Sequence, residues 1–320
     1  MLIGMCGEDF PEVHHAIAAA IPGAELVIIP GDRSQWRPRK VDVLVPLGGT
    51  VDAALMDATR PGLVQQFGVG VQGVDLQAAA LRGIPVANVP SADTGNAIAV
   101  AEAAIMHLLL LLRRFPQLQE SVRDGVVGQP IGNTLAGRTV TILGTGSIGA
   151  ALLTRLAAFG VTSLGVGRRP YAELPESLRS LLAPERYFPR SRLEPALAGS
   201  AALIVAVPLT EQTRGLIGPR ELAAMHPGGY LVNVGRGPVV DYAALLAALK
   251  SGHLAGAGLD VAWQEPIDPG DELLRHNVIV TPHIGGVTVE SYGQMARAFA
   301  ANVARLRAGD DLASVVSPGS

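Results

Sequence analysis

Along most of the chain, short apolar runs alternate with stretches whose apolar positions recur every three or four residues. That alternation predicts strands feeding into helices, the pattern of a parallel α/β sheet. In the first part Leu2–Met5, Leu26–Ile29, Val43–Val45, Leu63–Phe67 and Val86–Asn88 are predicted strands, with helices over Pro11–Ala20, Val51–Ala58 and Leu76–Arg82. A long helix from about Asn96 to Phe115 ends this unit, and a Gly- and Pro-rich loop, Asp124–Gly137, follows it. A second, more regular series predicts six strands: Thr139–Leu143, Ser163–Val166, Ala202–Val207, Tyr230–Val234, Gly256–Val261 and Val278–Thr281. Arg168–Arg192 reads as the only long irregular insertion, and a last helix over about Glu290–Arg307 is expected to return to the first domain. The expected fold class is α/β, with two doubly wound parallel-sheet domains: residues 1–95 plus 288–320, and residues 96–287.

Length and composition narrow the function. At 320 residues the chain is long enough for about two domains with sizeable cores. With 48% apolar and only 17% charged residues, intrinsic disorder is excluded. A net charge of −3, from 25 basic and 28 acidic residues, provides no broad cationic field for nucleic acid or anionic lipid. The single cysteine, Cys6, excludes an internal disulfide framework and a multi-cysteine metal site, so no metal is expected and reduced cytosol is the expected compartment. The start, MLIGMCGEDF, lacks the basic and apolar regions of a signal peptide. Ala97–Leu112 is strongly apolar but short for a bilayer and carries Glu102 and His107, so it is expected to be a buried helix rather than a membrane span.

The sharpest local signal is Gly144-Thr-Gly-Ser-Ile-Gly149, which follows the run Val140–Leu143 and opens a predicted helix, Ser147–Phe159. Gly144 permits the tight turn, Gly146 lets a pyrophosphate approach the backbone, and Gly149 allows close helix–strand packing. The helix start offers unpaired N–H groups and a positive dipole end to phosphates. With its preceding strand, its helix and six strands in series, the motif predicts a dinucleotide-binding sheet. An NAD-preferring site should end the next strand in an acid that accepts from the ribose hydroxyls. Gly167-Arg168-Arg169 stands there instead, either offering guanidinium groups to a 2′-phosphate or forming a solvated basic turn.

Three further residues follow later strands. Arg236, between Gly235 and Gly237, suits a bidentate carboxylate clamp as well as a surface ion pair. Glu265 precedes Pro266 in a loop, and His283 follows Thr281-Pro282; taken singly, they read as a loop acid and a structural histidine. All three fall at carboxyl ends of consecutive strands, where ligands bind in such folds. Hydride chemistry on a hydroxy or keto acid needs a cation for the carboxylate and a proton donor or acceptor near neutral pH. A histidine oriented by a carboxylate fills the second role.

Val207-Pro-Leu-Thr-Glu-Gln-Thr213, Asn233-Val-Gly-Arg236-Gly with Asp241 and Leu245 behind it, Ala257-Gly-Leu-Asp260-Val, Glu265-Pro266 and Thr281-Pro-His283-Ile-Gly-Gly286 occur in that order. In these segments, and over nearly its whole length, the chain resembles the D-isomer-specific 2-hydroxyacid dehydrogenase family. The resemblance implies a Rossmann cofactor domain and a smaller flavodoxin-like substrate domain. It implies that Arg236 holds the substrate carboxylate and carbonyl, that His283 exchanges the proton and that Glu265 supports His283. It places Asp260 on the nicotinamide side, and Ser147, Ile148, Pro208, Thr213, Gly235 and Gly285 along the cofactor. In the first domain Gln66-Phe-Gly-Val-Gly70 and Val100-Ala-Glu102 match family segments, with backbone N–H groups near Val69 and Gly70 joining Arg236 on the carboxylate.

Two departures from the family pattern matter. No Arg stands near Leu47, which speaks against a phosphoglycerate substrate, and the acid after the second cofactor strand is replaced around Gly167–Arg168, as in NADP-using glyoxylate and hydroxypyruvate reductases. The implied activity is hydride transfer between NADPH, with NADH as the second cofactor, and a small 2-oxoacid such as glyoxylate or hydroxypyruvate, in a cytoplasmic homodimer. Two other readings stay open: a nucleotide-sensing binding protein of the C-terminal-binding-protein corepressor type, and an NAD-dependent formate or phosphonate dehydrogenase. The pocket for the substrate side chain is expected around Leu47–Thr50 and Val69–Gly73.

Overall fold

The structure, a computed structural model, describes residues 1–7 and 10–318. Positions 8, 9, 319 and 320, which the expected first domain includes, lie outside the described residues. The chain divides into two compact units, Met1–Asn96 with Val287–Ser320, and Ala97–Gly286.

The smaller unit runs β1 (Leu2–Cys6), α1 (Pro11–Ala20), β2 (Glu25–Ile29), β3 (Val43–Val45), α2 (Ala53–Thr59), β4 (Leu63–Gln65), α3 (Leu76–Leu81) and β5 (Val86–Ala87). Its sheet has the order β2-β1-β3-β4-β5 with every pairing parallel, a flavodoxin-like doubly wound arrangement. Local chemistry starts the helices. Pro11 opens α1, where a missing N–H costs nothing, while the Asp52 and Asp75 side chains accept the Leu55 and Ala78 amides to cap α2 and α3.

The larger unit begins with α4 (Asn96–Leu112) and α5 (Phe115–Arg123). One continuous helix to Phe115 was expected. The chain instead breaks at Arg114, which takes a left-handed conformation (φ 53°), and restarts with Pro116 in the first turn of α5. The two helices meet at a 56° bend, and no single helix among the described residues is long and apolar enough to cross a membrane. The apolar face of α4 is instead packed into this unit's core.

The Rossmann elements follow: β6 (Thr139–Leu143), α6 (Ser147–Ala157), β7 (Thr162–Gly167), α7 (Glu176–Arg179), β8 (Tyr187–Pro189), α8 (Leu193–Leu197), β9 (Ala202–Val205), α9 (Pro219–Ala224), β10 (Gly229–Asn233), α10 (Tyr242–Lys250), β11 (Leu254–Leu259) and β12 (Val278–Val280). The parallel sheet has seven strands in the order β12-β11-β10-β9-β6-β7-β8, not the six expected. The extra strand, β8, lies in the segment that reads from sequence as irregular, and it pairs with β7 in the register Gly165↔Tyr187 and Gly167↔Pro189. Strand order reverses between β6 and β9, which makes the carboxyl ends of these two strands the crevice for a ligand in this class of sheet.

After β12 the chain returns to the smaller unit as α11 (Val289–Ala308), capped by the Thr288 hydroxyl, which accepts the Ser291 amide. Met295, Phe299 and Val303 of α11 pack with Ile3, Ile17 and Leu63 in that unit's core.

Candidate active site

The loop from β6 to α6 is built for a close ligand. Gly144 has φ +112°, a conformation that side chains rarely adopt, and Gly149 seats the start of α6 against the Gly144 carbonyl. A Cβ on Gly146 would meet nothing within 4 Å, and no side chain caps the N-terminus of α6. Open backbone at a helix start, with its amide hydrogens and positive dipole end, fits a pyrophosphate. Ser147 and Ile148 form the first turn of α6.

The end of β7 is closed to any side chain. A Cβ on Gly167 would come within 2.4 Å of Tyr187 Oη and 2.5 Å of Thr145 Oγ1. Tyr187, on β8, donates its hydroxyl hydrogen to the Arg169 carbonyl. Arg168 and Arg169 are exposed and make no ion pair among the described residues. No acid stands at Gly167-Arg168-Arg169, where an NAD-type site carries one, and two cations stand there instead.

Loops after β9 and β10 are tied down from within. Thr213 Oγ1 donates to the Pro208 carbonyl at 2.7 Å and accepts the Thr210 amide at 2.7 Å. Asn233, at the end of β10, accepts the Gly235 amide at 3.0 Å and donates to the Arg236 carbonyl at 3.0 Å. The sequence reading included Asn233 in the family segment but gave it no role; an amide two residues before the Gly-Arg-Gly run is the signal for such a clamp.

Arg236, Glu265, His283 and Asp260 come together at this edge of the sheet. Burial lowers the Arg236 guanidinium's pKa against the opposing pull of Glu265 and Asp260. Glu265 Oε2 accepts from His283 Nδ1 at 2.8 Å, and Oε1 accepts the Ala262 amide at 3.1 Å. Burial would raise the Glu265 pKa, but the His283 contact, the Ala262 amide and Arg236 outweigh it and hold the carboxyl below its ordinary range. His283 has a left-handed backbone (φ 56°), and its amide donates to the Asp260 carbonyl at 2.9 Å. The Asp260 carboxylate, almost wholly buried, accepts from Thr281 Oγ1, the Ile284 amide and the Gly285 amide.

Val69 and Gly70 lie in the smaller unit, on the loop after β4. Their carbonyls are taken by Asn88 Nδ2 (2.9 Å) and Gln66 Nε2 (2.8 Å). Their amides donate to no acceptor among the described residues.

Residues 105–285 match the family described as D-isomer specific 2-hydroxyacid dehydrogenase, NAD binding domain. The chain belongs to this family. As a D-isomer-specific 2-hydroxyacid dehydrogenase it is an NAD(P)-dependent oxidoreductase that interconverts a 2-oxoacid and a 2-hydroxyacid. It is 37% identical over 293 residues to the glyoxylate reductase of Thermococcus gammatolerans, covering 88% of this chain and 84% of that protein. It is 34% identical over 290 residues to glyoxylate/hydroxypyruvate reductase B of Yersinia enterocolitica, covering 88% and 85%. Among solved structures, the NADPH-dependent glyoxylate/hydroxypyruvate reductase of Sinorhizobium meliloti in complex with NADP and malonate superposes with a TM-score of 0.82 at 34% identity, over 98% of this chain and 96% of that one.

Proposed function

We propose that the enzyme is an NADPH-preferring reductase of small 2-oxoacids of the glyoxylate and hydroxypyruvate class, acting as a cytoplasmic homodimer. The observation that carries the cofactor preference is the end of β7, where Tyr187 and Thr145 leave no room for a side chain at Gly167 and Arg168 and Arg169 stand exposed with no ion pair among the described residues. The NADPH-dependent relative from Sinorhizobium meliloti supports the same reading.

In this reading residues 97–286 form the cofactor domain. The Gly144–Gly149 turn and the start of α6 hold the pyrophosphate, Arg168 and Arg169 the 2′-phosphate. Pro208, Thr213, Gly235, Asp260 and Gly285 border the rest of the cofactor. The bound dihydronicotinamide supplies the hydride. Arg236 binds the substrate carboxylate with a half-buried guanidinium, whose attraction for an anion is strengthened by partial removal from water. Glu265 accepts from His283 Nδ1, which fixes the imidazole orientation and assigns proton exchange to Nε2. During reduction His283 gives a proton to the forming alkoxide; during oxidation it takes one from the hydroxyl. The smaller unit is the substrate-binding domain of this reading.

The experiment is a comparison of kcat/KM for NADPH and NADH with glyoxylate and with hydroxypyruvate. Preference for NADPH with turnover of either acid is the expected result. Equal use of the two cofactors overturns the cofactor reading, and no turnover of either acid overturns the substrate class.

A further inference from the structure

His107 is a polar residue on the most apolar helix, α4, and it is wholly buried. Its Nε2 lies 2.9 Å from Thr281 Oγ1, 174 residues further along the chain. Thr281 Oγ1 lies 2.6 Å from Asp260 Oδ1. The Asp260 carboxylate also accepts the amides of Ile284 at 2.9 Å and Gly285 at 2.8 Å, the two residues that follow His283.

We propose that His107 is a positioning residue for the turn that carries His283, and that it acts as a neutral imidazole with its hydrogen on Nε2. The proposal rests on the reading of His283 as the proton-exchanging group.

Counting hydrogens gives the tautomer. The Thr281 hydroxyl donates its one hydrogen to Asp260 Oδ1. That hydroxyl then meets His107 through a lone pair, and the hydrogen between them belongs to Nε2. Nδ1 is buried with no partner among the described residues. It faces Gly258 of β11, where an added Cβ would come within 3.0 Å of Nδ1 and 2.8 Å of the His107 Cβ. The glycine therefore makes room for the imidazole, and a second hydrogen on Nδ1 would find no acceptor. Burial also lowers the imidazole's pKa, against the pull of Asp260.

The chain of bonds ends where orientation matters. His283 holds a left-handed backbone that a side chain disfavours, so its conformation depends on what grips the turn. Asp260 grips it through its carbonyl, which accepts the His283 amide, and through its carboxylate, which accepts the two amides beyond. Thr281 fixes that carboxylate, and His107 fixes Thr281 from inside a packed helix. A linked set of this kind holds geometry better than its separate bonds.

The test uses His107→Leu, which keeps an apolar filling without the donor, and His107→Gln, whose amide nitrogen can take the place of Nε2. Thr281→Val and Thr281→Ser form the matching pair. With saturating NADPH, His107→Leu and Thr281→Val are each expected to lower kcat about three- to tenfold, the net worth of one neutral hydrogen bond, with the KM for the 2-oxoacid little changed. His107→Gln and Thr281→Ser are expected to retain most of kcat, and the double His107→Leu, Thr281→Val variant to lose no more than the worse single one. Nitrogen NMR of the histidine-labelled protein at neutral pH, assigned through His107→Gln, should show hydrogen on Nε2 and a bare Nδ1. Hydrogen on Nδ1 overturns the proposal, as does a kcat that follows melting temperature across the variants irrespective of the donor. His283→Ala separates the two readings: full activity there overturns the reading of His283, whereas lost activity there with wild-type kcat in His107→Leu overturns only the positioning role.

Discussion

At Gly167 a missing side chain does as much as the two cations beside it. With Tyr187 Oη and Thr145 Oγ1 so close to any Cβ, an acid cannot be added there without moving the cofactor turn. Arg168 is exposed and can be exchanged without disturbing the core. Arg168→Asp is therefore expected to turn the preference toward NADH, while Gly167→Asp lowers kcat/KM with both cofactors. One or two charge-assisted hydrogen bonds from these arginines, offset by exposure, would amount to roughly a 10- to 100-fold preference for NADPH in the unmodified protein, expected to shrink with added salt when the kcat/KM ratio of the two cofactors is measured. A second expectation concerns His283. His283→Ala should lower kcat for reduction about 10²–10⁴-fold with cofactor and 2-oxoacid saturating. Glu265 supplies a stability signature of its own. Its carboxyl is held below the ordinary value of 4.5, so its contribution to stability is present above that pH and is lost as pH falls through the lower folded value. The melting-temperature gap between wild type and Glu265→Gln is thus expected at neutral pH and should close below pH 4.5. A gap that stays constant into acid would mean that the charge on Glu265 does not contribute.

Elements that repeat a pattern were legible in the chain, and elements fixed by a distant partner were not. Thr139–Leu143 and Val43–Val45 are strands as their apolar runs predict, and each trio residue follows one of the strands β10, β11 and β12. β8 escaped because three residues ending in proline carry no period, and its pairing exists only against β7. The long helix ends at Leu112, three residues short of the expected Phe115, and α5 escaped because Phe115–Arg123 is short, mostly polar and buries no residue. The partners of His107 and Tyr187 lie far away in sequence, so neither role could be read from local spacing. The same distinction predicts stability. Leu108 of α4 is fully buried among Val140, Ile142 and Leu152, so Leu108→Ala should cost about 2–5 kcal/mol in denaturant unfolding. Met106, on the exposed side of the same helix, should tolerate alanine within about 0.5 kcal/mol in the isolated chain.

At the scale of the whole molecule, the apolar residues left uncovered argue for a second copy. Most of the apolar side chains of α4 are packed inside its own unit. The uncovered ones run from Ile98 and Met106 of α4 through Phe115 and Val122 to Val126, Val127 and Ile131, with Val127 94% and Ile131 86% exposed. So many large apolar groups within one stretch of chain are characteristic of an association surface rather than of scattered exposure. A twofold pairing would bury the same stretch on both copies. It would be non-covalent, because Cys6 is buried and burial pushes its thiol up to about 12. Light scattering at micromolar concentration is expected to give twice the chain mass of 33.1 kDa, unchanged by reductant. Placing aspartate at both Val127 and Ile131 should shift the mass toward one chain, by burying two unpaired charges at the contact. Leu81→Asp, at an 86% exposed position in the smaller unit, should leave the mass unchanged and controls for a general effect of added charge. A monomeric wild-type protein would overturn the homodimer, and a dimer insensitive to the paired substitution would move its interface away from α5 and the loop that follows.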